Sequence, residues 1–486
     1  MRRDAGSKPV IIFYNPAAPY YTLPLQYLAL ASVIDRDKYD IRIVDARIEK
    51  SDRHAHDKVK ELLPNAVCLG VSIITGTPIK DAVTVSGMAK QLAPDIPVVW
   101  GGWHPSIYPE QCLREGSADY CVFGQGELTF CELLEAFESN SGYDKILGLA
   151  YLKDNHFHQN AERKFVDINR FPAYDYDLAP METYFRLKGI RQIDFYSSQG
   201  CPYRCAFCAD PYVYSRRWSG LKGLRMLFDV FDAVKKYRAD DVLFQDENFF
   251  ANQKRVLDFC KGINDHGMTF SWAATSRADQ IAPLDDSLMK EIAGANLRKV
   301  IIGAESGSQE MLDFMKKDTL AGEAIISAEK LARHRIGASF NFIVGFPEED
   351  FAQTLKTLEI IKEIKRIDPA FEFNIFFFTP YPGTELFDYI VKKGFKVPGT
   401  LSEWSDIDFI MYAGYWVKQH EREYVERFKF YTKLATGESA MLTWRRWARP
   451  LHKLAAARSR HDFYNLPVEK EVINFVRHKI LRQTNW

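Results

Sequence analysis

The sequence lacks any charge surplus: 64 lysines and arginines balance 64 aspartates and glutamates over 486 residues. A chain built mainly to coat nucleic acid carries a strong positive excess, so no nucleic-acid partner is expected. Cysteine is scarce, with eight in all, too few for a disulfide framework at this length. The opening residues, MRRDAGSKPVIIFYNP, contain no apolar core followed by a small-residue cleavage site, and the cytoplasm is therefore the expected compartment. No apolar run approaches the roughly 20 residues that span a bilayer, which leaves a soluble chain or one lying on a membrane surface. Hydrophobic residues make up 47% of the whole, enough for two or three domains with cores of their own.

What is present is a rhythm of short β-rich runs and amphipathic stretches. Over 8–140 the runs PVIIFYNP, YDIRIVDAR, AVCLGVSII, IPVVWGG and ADYCVFGQG alternate with segments such as LPLQYLALASVI. That alternation predicts a doubly wound, Rossmann-like parallel sheet. In such sheets ligands sit beyond the carboxyl ends of the strands. Asn15–Pro16, Ser72 to Gly76, Gly101–Gly102 and Gly124–Gln125–Gly126 fall at those ends. Residues 141–190 are mixed in character and read as a linker. Six further strand-like runs follow within 191–390, at 193–200, 241–250, 270–279, 299–306, 338–346 and 371–380. They predict a partial (β/α)6 barrel, since a closed eight-stranded one needs two more. The remainder, 391–486, is expected to be mostly helical. Its last part, 441–486, carries ten Lys/Arg against three acids, a local net of +7.

The stretch SSQGCPYRCAFCADPY places Cys201, Cys205 and Cys208 directly after the first barrel strand and then no cysteine until Cys260. A closed zinc or iron–sulfur site takes four protein ligands. A [4Fe–4S] cluster held by three thiolates leaves one iron open, and the carboxyl end of a barrel strand is where such enzymes keep their chemistry. Two alternatives remain at this point: a zinc site completed by a distant histidine, and an electron-transfer or sensor protein whose cluster takes Cys260 as fourth ligand.

The C-x3-C-x2-C spacing, with the aromatic Phe207 before the last cysteine, resembles the signature of the radical S-adenosylmethionine (SAM) superfamily. The resemblance implies that the open iron chelates the amino and carboxylate groups of SAM and that an electron from the cluster yields a 5′-deoxyadenosyl radical. It extends along the later strands over roughly 190–390. FQDENFF puts Asp246 and Glu247 where the family holds the methionine amino group, and SRAD puts Arg277 at the end of strand three. GAESGSQEMLDFMKK offers Glu305 and Ser306 to the ribose hydroxyls or the methionyl carboxylate. Val344, in FNFIVGFPEE, falls in the segment whose backbone runs beside adenine.

The first domain resembles the cobalamin-binding domain joined to one branch of radical SAM enzymes, through GVSIITG, VVWGGWHPSIYPEQCL and DYCVFGQGELTFCELL. The resemblance implies a cobalamin site at Ser72, Gly76, Gly101, Gly102, His104, Gly124, Gly126 and Glu127, with Ile74 and Thr75 or water below the cobalt. Gly101 and Gly102 would let the nucleotide tail lie against the backbone. No Asp-x-His-x-x-Gly motif supplies an axial imidazole, and His54 and His56 read as solvated surface residues. The implied reaction is cobalamin-dependent methyl transfer to an unactivated carbon, with ring closure, rearrangement or carbon–carbon coupling as the alternative outcome. The implied partners are a small-molecule or lipid-like substrate and an external one-electron reductant such as flavodoxin or ferredoxin. If 444–454 is helical, Trp444, Trp447, Leu451 and Leu454 share one stripe opposite Arg445, Arg446, Arg449 and Lys453, a pattern compatible with peripheral membrane contact.

Overall fold

The computed structural model describes residues 8–408, 412–437, 449–465 and 467–475. Trp444, Trp447, Arg445 and Arg446 of the expected tail stripe lie outside the described residues. The Val-, Ile- and aromatic-rich runs form strands as their composition dictates: β1 (Val10–Asn15), β2 (Asp40–Asp45), β3 (Ala66–Ser72), β4 (Val98–Gly101) and β5 (Tyr120–Val122). They pair in parallel in the order β2-β1-β3-β4-β5. The chain turns opposite ways on leaving β1 and β3, and the crevice beyond their carboxyl ends is a topological switch point.

The sheet is larger than the sequence reading allows. Leu149–Lys153 (β6) and His156–Gln159 (β7), placed above in a linker, extend it by two antiparallel strands. Asp154 and Asn155 make the hairpin turn, both with positive φ (50° and 61°). Asp and Asn tolerate that backbone better than most residues.

The second sheet carries six parallel strands in unbroken sequence order: β8 (Gln192–Phe195), β11 (Asp241–Phe244), β12 (Ser271–Arg277), β13 (Leu297–Glu305), β14 (Gly337–Val344) and β15 (Glu372–Phe377). This is the expected partial barrel. Between its first two strands, β9 (Ser198–Gly200) and β10 (Trp218–Gly220) form a short antiparallel ladder that closes the cysteine loop at its base.

Helices dominate the residues after β15, with Gln419–Thr436 packed on Arg449–Arg460. Leu451 packs against the barrel core, whereas Leu454 is exposed. One apolar cluster joins the two sheets, running from Leu69 and Trp100 through Ala206 and Phe346 to the fully buried Trp404. Removing such large side chains from water is the main force holding the domains together. Polar clamps add register: Trp404 Nε1 donates to Gln111 Oε1 at 3.0 Å, and Thr77 Oγ1 donates to Asp408 at 2.9 Å. Among the described residues no helix is long and apolar enough to cross a membrane.

Candidate functional site

A cavity of ≈520 Å3 lies where the two sheets face each other. On one side it is walled by Ser72, Ile74, Gly101, Gly102, Gly124, Gly126 and Glu127, all named from sequence. Tyr196, Ser198, Gln199, Gln245 and Glu247 wall it on the barrel side. The segment Phe171–Tyr174, in the connection between domains, makes the third wall.

Backbone contacts set the wall on the first-sheet side. Ser72 N–H donates to the Tyr27 hydroxyl at 2.7 Å, and that hydroxyl donates to the Tyr14 carbonyl. Gly102 has φ +95°, and a Cβ there would stand 2.6 Å from the Ile73 carbonyl oxygen. Only glycine fits that conformation and that approach. Gly101 is different: its Cβ would meet Val122 O at an ordinary 3.6 Å, so its smallness serves the cavity and not the fold.

Three residues expected in this site stand elsewhere. His104 is fully buried, with Nδ1 3.0 Å from Thr75 Oγ1 and its ring edge-on to Trp404 at 5.5 Å. Burial pushes it down to about 3, so it is a neutral core histidine. Thr75 is spent on it, and Gly76 faces Asp408, where a Cβ would come within 3.1 Å of Oδ2. The post-barrel segment covers this side of the loop. His56 is no surface residue either: its Nε2 lies 2.7 Å from Oδ1 of Asp81, whose other oxygen accepts from Tyr14 and Ala17. His54 sits at the surface beside Glu49.

The cysteine loop is tied on several sides. Ala206 N–H donates to the Met315 carbonyl at 2.8 Å, and Leu386 N–H donates to the Ala206 carbonyl at 2.9 Å. Phe207 packs half-buried against the interdomain cluster. Arg277 Nη1 approaches Cys205 Sγ at 3.4 Å, with the guanidinium stacked on Tyr203 at 3.8 Å. Burial raises the Cys201 thiol to about 11 and pushes Cys208 well up. The bare chain therefore favours uncharged thiols at these two positions, and metal coordination would stabilise them as thiolates. Among the described residues no three His, Cys, Asp or Glu side chains converge as ligands of a single metal ion. A cubane asks for something else, one thiolate on each of three irons.

The acids next to the loop have open valences. Both carboxylate oxygens of buried Asp210, Glu247 Oε2 and both side-chain polar atoms of Asn248 lack a protein partner. Burial raises Asp210 to about 7, and burial with the nearby Asp210 charge raises Glu247. Unpaired buried polar atoms are costly, and a ligand carrying ammonium and hydroxyl groups, as SAM does, would satisfy them. Glu127 Oε2 is likewise unpaired on the opposite wall, which fits an amide-rich corrin.

The remaining named residues divide. Asp246 is fully engaged, accepting from Ser197 N–H, Ser197 Oγ and Ser198 Oγ, each at 2.6 Å. Glu305 holds a left-handed backbone (φ +62°) and pairs with buried Lys317 at 2.7 Å. Ser306 turns away to Thr357 at 3.1 Å, which fixes the turn after β13. Val344 is buried and its carbonyl accepts from Phe378 N–H at 2.8 Å. Arg277, Glu305, Ser306 and Val344 do not line the cavity. Gln125 was placed only in a strand-end loop and Gln199 was given no role, yet Gln125 Nε2 donates to Gln199 Oε1 at 2.8 Å across the domain boundary. Asp210, two residues past Cys208, was also missed; a carboxylate so soon after the third cysteine was the available signal.

Fold and site together define a two-domain chain in which a glycine-lined crevice of the first sheet faces the barrel side across one cavity. Residues 13–134 match the B12 binding domain and residues 195–361 match the radical SAM superfamily. The chain is 30% identical over 394 residues to an uncharacterized methyltransferase of Pyrococcus horikoshii, covering 80% of this chain and 83% of that one. It is 25% identical over 362 residues to the anaerobic magnesium-protoporphyrin IX monomethyl ester cyclase of Rubrivivax gelatinosus, covering 73% and 63%. The radical SAM methyltransferase TsrM from Kitasatospora setae, solved with tryptophan and a SAM analog, superposes with a TM-score of 0.69 at 15% identity and 82% coverage of each chain. The chain belongs to the radical SAM superfamily, in the branch that carries a B12-binding domain, and its cofactors are a [4Fe–4S] cluster, SAM and cobalamin.

Proposed function

We propose that this enzyme transfers a methyl group from SAM to an unactivated carbon of a small, largely apolar substrate. The observation that supports this best is the single cavity shared by the Gly101–Gly102 cradle and the barrel mouth at Glu247. When bound, the cluster and SAM supply a 5′-deoxyadenosyl radical, and cobalamin carries the methyl group. Cys201, Cys205 and Cys208 would hold the cluster, Asp210 and Glu247 would accept from the SAM ammonium, and Gly101 would leave room for the corrin's tail. The chain's remaining task is to orient a carbon between these groups and keep water out. Phe171, Tyr174, Phe195 and Leu221 supply apolar walls for that purpose. The unpaired Glu127 Oε2 would hydrogen-bond a corrin amide.

An external one-electron reductant of the flavodoxin or ferredoxin class supplies the electron. The substrate is lipid-like, and the basic tail brings the enzyme to an anionic membrane that carries it. That last point rests on the charge and stripe pattern of the sequence. Flotation with anionic liposomes tests it: full-length protein should float and a chain ending at Glu438 should not, while equal failure of both removes the membrane reading.

Cyclisation is the second reading, favoured by the likeness to the ester cyclase. Anaerobic turnover of reconstituted enzyme with methyl-labelled SAM and a lipid extract from cells lacking this chain separates the two. Methylation yields S-adenosylhomocysteine and 5′-deoxyadenosine in equal amounts with label in the product. Deoxyadenosine alone, with no label transferred, overturns it.

A further inference from the structure

Arg277 ends β12 with its guanidinium held on several sides. It forms an ion pair with Asp279 at 2.9 Å, donates to the Lys317 carbonyl, and lies over the Tyr203 ring at 3.8 Å. The ring is fixed in turn, since Gln280 Nε2 donates to the Tyr203 hydroxyl at 3.1 Å. What these contacts achieve is to aim Nη1 at Cys205 Sγ, 3.4 Å away. Arg277 is buried, 5% exposed, and a cation with little water around it acts strongly on its neighbours. A cavity wall has no use for this side chain, because it does not line the cavity.

We propose that Arg277 is a positioning residue for the electron-accepting step: its N–H to Cys205 Sγ stabilises the reduced cluster and sets its reduction potential. The proposal rests on the radical SAM assignment. One electron passes from the external one-electron reductant to the cluster, no bond forms or breaks, and the site becomes more negative by one charge. Hydrogen bonds to the sulfurs and nearby net charge are among the levers a protein has over such a potential. A fixed guanidinium therefore raises the potential, and Asp279, its counter-ion, partly offsets it.

The test is a redox titration of reconstituted full-length protein without SAM, following the reduced cluster by electron paramagnetic resonance. Arg277→Gln should keep full iron and sulfide content while its reduction equilibrium falls about tenfold, ~59 mV for a one-electron couple. Arg277→Lys should recover part of that loss. Asp279→Asn, which removes the counter-charge, should shift the potential the opposite way. A cluster-replete Arg277→Gln with the wild-type potential overturns the proposal. So does loss of the cluster in Arg277→Gln combined with an unshifted Asp279→Asn, since Arg277 is then only a structural tie. Failure of the wild type to take up any cluster refutes the family reading instead, and the two failures are distinct.

Discussion

Asp246 is the position at which an expectation from motif and an expectation from geometry part most sharply. Its sequence context offers it to the SAM ammonium, yet its oxygens already accept three hydrogen bonds at 2.6 Å from the Ser197–Ser198 corner. Arg255 Nη2 stands 3.5 Å from Oδ2, and both side chains are buried. Asp246→Ala strips three charge-assisted bonds and leaves the arginine without its counter-charge. Breaking a buried pair from one side costs about 3–5 kcal/mol. Arg255 keeps its bonds to the Ser197 and Phe249 carbonyls, at 3.1 and 2.7 Å, and its place over the Phe249 ring at 4.9 Å. Those contacts put the expected loss at the lower end, about 3 kcal/mol, a large share of the ~5–15 kcal/mol a domain has. Urea unfolding of the apoprotein, followed by tryptophan fluorescence, reads it directly. Because Ser198 begins the strand leading into Cys201, cluster uptake should fall in parallel. A variant as stable as the wild type within about 1 kcal/mol, with an intact cluster but no SAM binding, would show that Asp246 is a ligand and refute this reasoning.

Alanine at any of Cys201, Cys205 or Cys208 should abolish dithionite-driven formation of 5′-deoxyadenosine, whereas Cys260→Ala should leave the iron content unchanged, because Cys260 is buried in the core of the Gln253–Asp265 helix. Gly101→Trp should keep the fold and lose corrin binding; Gly102→Ala should lower stability by more than backbone strain alone, about 1–3 kcal/mol, because its Cβ would also meet the Ile73 carbonyl oxygen at 2.6 Å, and the corrin absorbance and unfolding midpoint of each variant check the contrast. His104, neutral in the fold at a pKa of about 3, takes a proton in the unfolded chain near 6.5. The folded-state pKa is the depressed one, so stability is full above pH ~6.5 and falls by about 1.4 kcal/mol per pH unit towards pH 3. His104→Phe should flatten that slope between pH 7 and 5, and an unchanged slope contradicts the assignment.

The sequence showed the repeating βα layout because a strand buried on both faces reads as a continuous apolar run, as in PVIIFYN, and a half-buried one as an alternation, as in FEFNIFFF. It hid β6 and β7, where only Leu149, Ala150 and Tyr151 are buried and β7 alternates polar residues on an exposed edge. The Asp154–Asn155 pair was the readable sign of that hairpin. Glycines of the cradle were legible because a ligand or a backbone must approach them closely. His104 and Asp246 were not, since an isolated polar residue near a strand end looks the same whether it faces a ligand or a neighbouring loop. The packing of Trp404, some 300 residues along the chain, helps make His104 a core residue. The Gln125–Gln199 contact depends in the same way on two domains meeting.

One chain is expected to hold an iron–sulfur cluster and a corrin against a common cavity. The absorbance spectrum of protein purified anaerobically, reconstituted with iron and sulfide and supplied with cobalamin before gel filtration, tests it most directly. A cluster shoulder and a corrin band should elute together with the chain, the shoulder lost in Cys205→Ala and the corrin band lost in Gly101→Trp. A cluster shoulder with no retained corrin band would contradict it, leaving radical chemistry without the methyl carrier.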